Sequence, residues 1–257
     1  MREDAGISAR PLSAATWLLA AAAILLAVAP GRAWAAEAAG TVGVDDADPF
    51  EKQGHPGAEA PPLPDPLRPM NKAFYHVNDK LYYWVLRPVA RGYKALVPRP
   101  ARVSIRNLFS NLGAPGRSIN CLLQGDLKGS CTELARFATN TTIGVLGLGD
   151  PAKHWLKLKL RDEDFGQTLG VWGLGMGFYL TWPLMGPSCP RDTLGALVNA
   201  ALDPATFLPG ASLLARINNT SLTLGDYEDF KKSALDHYTA IRDAYNQHRR
   251  HAVKSWD

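Results

Sequence analysis

Arg161 to Gly195 reads RDEDFGQTLGVWGLGMGFYLTWPLMGPSCPRDTLG. From Gly170 to Ser188 it holds no charged residue, yet it is dense in glycine and proline. A dinucleotide loop needs Gly-x-Gly-x-x-Gly between a strand and a helix. Gly173, Gly175 and Gly177 have the wrong spacing, and Pro183 and Pro187 stand where the helix should follow. The same prolines and glycines break a membrane-spanning helix. Two readings stay open: a buried irregular connection in a globular core, or irregular backbone lining a cavity. In the second, Trp172, Tyr179 and Trp182 are aromatics suited to a membrane interface.

The segments around this stretch read as helices punctuated by Gly and Pro. Met70, Phe74, Val77, Leu81 and Val85 recur at three- and four-residue steps, one helical stripe. Trp84 and neighbouring tyrosines lie off that stripe. A helix apolar on more than one side, as Phe74 to Leu86 is, needs more apolar partners than a small soluble domain supplies. Pro88 starts a second segment, and Pro98-Arg99-Pro100 stops it. Ile105, Leu108 and Leu112 mark a further helix, and Ile119, Leu122 and Leu123 another opened by Pro115. Gly125-Asp126 makes a turn, with Asp126 the N-cap of a helix carrying Leu127, Cys131, Leu134 and Ala138. No alternating run stands out, so the class is mainly α, a single helical domain.

The chain is 257 residues long with a formal net charge of +4, 46% hydrophobic and 20% charged residues. That mild excess of cations does not suggest a nucleic-acid partner. Ala14 to Ala29 is almost wholly apolar and is followed by Ala33-Trp34-Ala35, the pattern of a secretory signal over residues 1–35. Residues 36–64, rich in Ala, Gly, Pro and acid, read as a disordered linker. The ordered domain is expected over 65–251, with a tail at 252–257.

DPLRPMNKAFYHVND (Asp65 to Asp79), VLRPVARGYKALVPRPAR, NLFSNLGAPGRSINCLLQGD, FATNTTIGVLGLGDPA, the opening stretch and SALDHYTAIRDAYNQHRR follow one another. In that order they resemble the MlaA/VacJ family over essentially the whole ordered chain. The resemblance implies a largely helical ring in the periplasmic leaflet of the Gram-negative outer membrane, with a central amphipathic channel. Through it, phospholipids that have strayed into the outer leaflet would pass to a soluble periplasmic lipid-carrier protein. A trimeric porin is the other implied partner. No cofactor and no covalent chemistry are implied. A structural, porin-associated module that has lost passage is the alternative.

Three features depart from the family pattern. No cysteine precedes Cys121, so the signal lacks a lipid-attachment cysteine. Gly177-Phe178-Tyr179 replaces a common Gly-Pro-Tyr. Cys189 stands where serine, threonine or asparagine is usual.

The candidate path-lining residues are Gln167, Gly173, Gly175, Gly177, Tyr179, Arg191 and Asp192. Arg191 offers a planar fork suited to phosphate, set against a plain local ion pair or cap with Asp192. Trp84, Trp172 and Trp182 are candidate interface aromatics. Asp162, Glu163 and Asp164 read as helix N-terminal acids rather than paired catalytic carboxylates. The cluster His248, Arg249, Arg250, His251 and Lys254 reads as a solvated helix end, or as a contact for anionic headgroups or the carrier. The histidines show no metal spacing, and no Gly-x-Ser-x-Gly elbow supports a lipase. Cys121 and Cys131 flank the Gly125-Asp126 turn and could be joined in an oxidising compartment, against the odd cysteine count.

Overall fold

A computed structural model describes residues 61–254; the signal at 1–35, most of the linker and the last three tail residues lie outside them. The order is α1 Arg68–Leu81, a π-helical turn Tyr82–Leu86, α2 Arg87–Leu96, α3 Arg99–Leu112, α4 Ala114–Leu123 and α5 Leu127–Thr142. The single turn α6 Pro151–His154, α7 Phe165–Val171, β1 Leu180–Trp182, β2 Gly186–Ser188 and α8 Pro190–Leu202 follow. The 3-10 turn Pro204–Phe207, α9 Ala211–Leu222, α10 Asp226–Ser233 and α11 His237–Lys254 complete the chain. The mainly α class holds.

Local chemistry explains the boundaries. Pro88 has no N–H to give the carbonyl of Trp84 and its ring would clash with it. The chain widens into the π turn just before that proline, so α1 and α2 continue through it without a break in helical backbone. Val97 leaves α2 in extended geometry and Pro98 precedes α3, as the proline block requires. Asp126 caps α5, accepting from the Gly129 N–H at 2.7 Å. Pro190 lies in the first turn of α8.

The glycine-aromatic stretch also holds an antiparallel hairpin, Leu180 opposite Ser188 and Trp182 opposite Gly186. Three-residue strands are too short to show an alternating pattern, which is why the sequence does not announce them. Two asparagines one heptad apart on α1 pin it. Asn71 accepts from the Thr181 N–H at 2.8 Å and donates to the Tyr179 carbonyl at 3.0 Å. Asn78 accepts from the Leu184 N–H at 2.7 Å and donates to the Trp182 carbonyl at 2.9 Å. The open strand edge is thus covered by side-chain amides.

Ordered structure starts before Asp65, a correction to the linker boundary. Leu63 is buried in the core, Pro64 accepts from the Tyr179 N–H, and Pro61 accepts from Asn246. At the other end α11 runs on to Lys254, past the expected limit of 251.

The apolar core is aromatic and local. Leu63, Tyr75, Met176, Tyr179, Cys189, Tyr238, Ile241 and Tyr245 pack together, flanked by Tyr227 and Phe230. It gathers the start of the domain, α1, the glycine-aromatic stretch and α11. The remaining helices bury something else.

Candidate functional site

In α5 the whole stripe of Leu127, Cys131, Leu134 and Ala138 is exposed, while Ser130, Glu133, Arg136 and Asn140 are buried. Its partner α4 exposes Ile119, Leu122 and Leu123 and buries Arg117, Ser118 and Asn120. The helix-period reading of these segments is right, but the face is reversed. On α1 likewise Met70 and Val77 point out, and Asn71 at 0% exposure points in. Trp155, Leu156, Leu194, Leu197 and Phe207 extend the apolar exterior. A water-soluble domain buries such side chains and leaves polar ones outside. An apolar exterior of this extent marks a surface that meets lipid or another protein. Among the described residues no helix is long and apolar enough to cross a membrane.

The polar interior is closely paired. Glu133 is fully buried, accepts from Arg117 Nε at 2.8 Å and from the Arg161 N–H at 2.8 Å, and has Arg136 Nε at 3.9 Å. Arg136 also donates to Asp150 at 2.8 Å and to the Leu158 carbonyl. Burial pushes the Asp150 carboxyl up, but Arg136 and Asn140 outweigh it and hold it below the usual range. The Ser118 and Ser130 hydroxyls meet at 2.9 Å across the helix seam. A cavity of about 20 Å³ lies beside this network, lined by Asn107, Ser110, Asn111, Arg117, Arg136 and Asn140. It has room for one water and not for a phospholipid headgroup.

The proposed path residues fall into two groups. Gly173 and Gly177 have positive φ, 92° and 76°, and a Cβ added at Gly173 or Gly175 would meet nothing within 4 Å. Gly173 and Gly175 border open space, while a Cβ at Gly177 would touch the Pro190 ring at 3.6 Å. Tyr179, Arg191 and Asp192 are instead engaged inside the protein, a correction to the path-lining expectation. Tyr179 is 1% exposed and packs edge-on against Tyr238 and Tyr245. Arg191 Nε donates to Asp192 at 2.8 Å. Asp192 also accepts from Arg249 Nε at 2.7 Å and from the Tyr245 hydroxyl. Arg249 reaches Asp164 through both terminal nitrogens, at 2.6 and 3.0 Å. Four alternating charges therefore bolt α11 to the starts of α7 and α8. Burial raises the Asp192 carboxyl, but Arg249 and Arg191 outweigh it and hold it below the ordinary range. Arg249 is thus a buried cross-brace, not part of a solvated helix end.

Gln167 is buried; its amide donates to the Asp162 carbonyl at 3.1 Å and its Oε1 lacks a hydrogen-bond partner among the described residues. Asp164 caps α7 through the Gln167 N–H at 2.8 Å, so the acidic run marks a helix start as expected. Glu163 accepts from Gln124 at 3.1 Å, and burial followed by the neighbouring acids raises its carboxyl. Trp84 is 73% exposed. Trp172 and Trp182 keep exposed rings while their N–H groups donate to the Leu123 carbonyl at 3.0 Å and to Thr193 at 2.9 Å. A satisfied polar edge with a bare apolar face is the interfacial pattern.

The cysteines are free. Cys121 is buried in the α4–α5 seam and Cys131 lies on the exterior stripe, so the two thiols face different sides and the possible link between them is not formed. Cys189 does the capping work of the usual serine, threonine or asparagine: its Sγ accepts from the Asp192 N–H at 3.4 Å and caps α8. Burial pushes its thiol up to about 11. Among the described residues no group of His, Cys, Asp or Glu could hold a metal.

The MlaA lipoprotein family model matches residues 63–252. The chain belongs to the MlaA family. Among its relatives, a Shigella flexneri protein named intermembrane phospholipid transport system lipoprotein MlaA is 32% identical, covering 71% of this chain and 76% of its own. The Escherichia coli K12 protein of the same name is 31% identical over the same shares. A solved chain from work on the structural basis for maintenance of bacterial outer membrane lipid asymmetry superposes with a TM-score of 0.66 at 32% identity. It is matched over 74% of this chain and 98% of its own. The family boundary at residue 63 coincides with the first buried core residue, Leu63.

Proposed function

We propose that this MlaA-family chain is a phospholipid-transport protein of the outer membrane. It lies in the periplasmic leaflet and lets phospholipids that have strayed into the outer leaflet pass toward a periplasmic carrier. The carrying observation is the reversed polarity of α4 and α5, leucines outside and a charged network inside. Lipid tails on the exterior remove the cost of exposing those leucines to water. Backbone that departs from helix, as in the glycine-aromatic stretch, is tolerated at membrane depth where protein or an aqueous cavity satisfies it. The family names and the outer-membrane lipid-asymmetry context of the solved relative support the same reading. A ring around an amphipathic channel, a trimeric porin neighbour and a soluble carrier complete the proposal. Function is passage and involves no covalent step.

Attachment follows from the same surface. With no cysteine before Cys121, the exterior leucines and half-exposed tryptophans hold the chain in the leaflet without an acyl group. Mass spectrometry of the mature N-terminus checks this; a diacylated residue contradicts it.

The functional test is outer-leaflet phospholipid in a strain lacking this protein, complemented by the wild type or by Gly175→Val. A Cβ at Gly175 meets open space, so the valine variant is expected to fold. Restored asymmetry with wild type and lost asymmetry with Gly175→Val at equal abundance is the expected result. Failure of the wild type to restore asymmetry contradicts lipid passage and leaves the porin-associated module.

A further inference from the structure

Between Asp79 and Asp126 the chain contains no acidic residue and eight lysines or arginines. For a protein of net charge +4 this is a marked segregation. Tertiary contacts account for only part of it. Arg87 pairs with Glu228 at 2.7 Å, Arg117 with Glu133 at 2.8 Å, and Arg102 is buried and donates to the Ser221 carbonyl at 2.7 Å. Lys80 stacks over Trp84. Arg91, Lys94 and Arg99 are exposed, and none has an ion pair among the described residues.

Their setting divides α2 into three lanes. Residues advance about 100° around a helix. Ala90 and Tyr93 face inward, and Tyr93 donates to Asn218 on α9 at 3.1 Å. Arg91 and Lys94 flank that lane on one side. Val89 and Leu96 flank it on the other, exposed at 46% and 85%. Arg99 follows at the first position of α3, a helix start with no side-chain cap and no acid in its first turn, where the helix dipole adds positive potential. Arg106 lies one further heptad along, and burial together with the Arg99 guanidinium lowers its proton affinity. A cationic lane beside an apolar lane is the signature of a helix lying at a lipid interface, with long basic side chains reaching toward headgroups.

We infer that the α2–α3 corner is a binding surface for anionic phospholipid headgroups, with Arg91, Lys94 and Arg99 meeting phosphate and Val89 and Leu96 entering the acyl boundary. This rests on the membrane reading above and adds a headgroup preference to it. Charge complementarity selects the partner: nothing acidic on the segment offsets a negative surface.

The test is co-sedimentation of the purified mature chain with vesicles of phosphatidylcholine alone or mixed with phosphatidylglycerol, at low and high salt. Wild type should prefer the phosphatidylglycerol vesicles and lose that preference in salt. Each surface cation contributes about fivefold, so Arg91→Gln/Lys94→Gln/Arg99→Gln should lose about 100-fold on anionic vesicles and little on neutral ones. Leu96→Ser should weaken both. Circular dichroism confirms folding, since all four side chains are exposed. Equal binding to both vesicles by wild type, or an undiminished preference in the triple variant, overturns the inference. So does displacement by inorganic phosphate beyond that by chloride at equal ionic strength, which identifies a small-anion site. Binding to neither vesicle instead overturns the membrane reading itself.

Discussion

Two parts of this molecule obey opposite rules. Around α10 and α11, Tyr238, Ile241 and Tyr245 pack inward and the helix exterior is polar, as with Lys232 and Gln247. Across α4, α5 and α8, Ser118, Asn120, Glu133, Arg136 and Arg191 are inside and Leu122, Leu134 and Leu197 outside. The first part is organised as if surrounded by water, the second as if surrounded by hydrocarbon. One chain can thus be built for two solvents, with the α11 ion network bolting the halves together. In water the hydrophobic effect drives apolar groups inward. In lipid it offers no such drive, and helices are joined by close packing and polar contacts.

The largest loss is expected at the inverted seam. Glu133→Ala removes the shared acceptor of Arg117 and the Arg161 N–H and leaves buried cations uncompensated. It should cost about 3–5 kcal/mol, read as a lowered urea midpoint in detergent. Tyr179→Ala should cost a similar ~3–5 kcal/mol in the aromatic core by cavity formation. A negligible Glu133→Ala effect would mean that the polar interior does not hold the helices together.

Gly195→Ala is the next step down. Its new Cβ would stand 2.4 Å from the Gly166 nitrogen and 2.7 Å from its Cα, where α7 and α8 cross on bare backbone. Overpacking of this kind costs about 1–3 kcal/mol. Gly175→Val, facing open space, should leave the urea midpoint unchanged. Equal losses at both positions would contradict the placement of the glycine stretch.

Acid should separate two carboxylates. The Asp192 carboxyl is lowered in the fold, so its contribution is full above the unfolded value of about 3.9 and lost as pH falls below it. Asp192→Asn should therefore flatten the acid limb of the stability profile. Glu163 is raised, so its charged form is disfavoured in the fold and stability falls as pH rises through its titration. Glu163→Gln should be neutral to slightly stabilising at pH 7, the smallest change of the set. Destabilisation at pH 7 comparable to that at Glu133 would contradict the burial argument.

Much of the fold was legible in the sequence, because helix period, proline starts and stops such as Pro190 and Pro98, and caps such as Asp126 act locally. Which face turns inward was not, since Leu127, Cys131, Leu134 and Ala138 make the same stripe whether it meets a core or a lipid tail. The excess of apolar side chains around Phe74 to Leu86 was the available hint. The bracing of Arg191, Asp192 and Arg249 was hidden because Asp164 and Arg249 are 85 residues apart. Tyr179 looked like an interface aromatic by composition and became core through contact with Tyr238 and Tyr245, which only the tertiary fold supplies. The acid-free run from Lys80 to Gly125 was visible to inspection, but only the structure separates its paired cations from its exposed ones.

Whether the two halves meet different solvents is read in bilayers from spin labels placed one at a time at Leu122, Leu134 and Leu197, and at Lys232 and Gln247. The three leucine positions should be open to oxygen and shielded from a water-soluble nickel complex, and the two α10–α11 positions the reverse. Aqueous access at all five positions would contradict a division between two solvents.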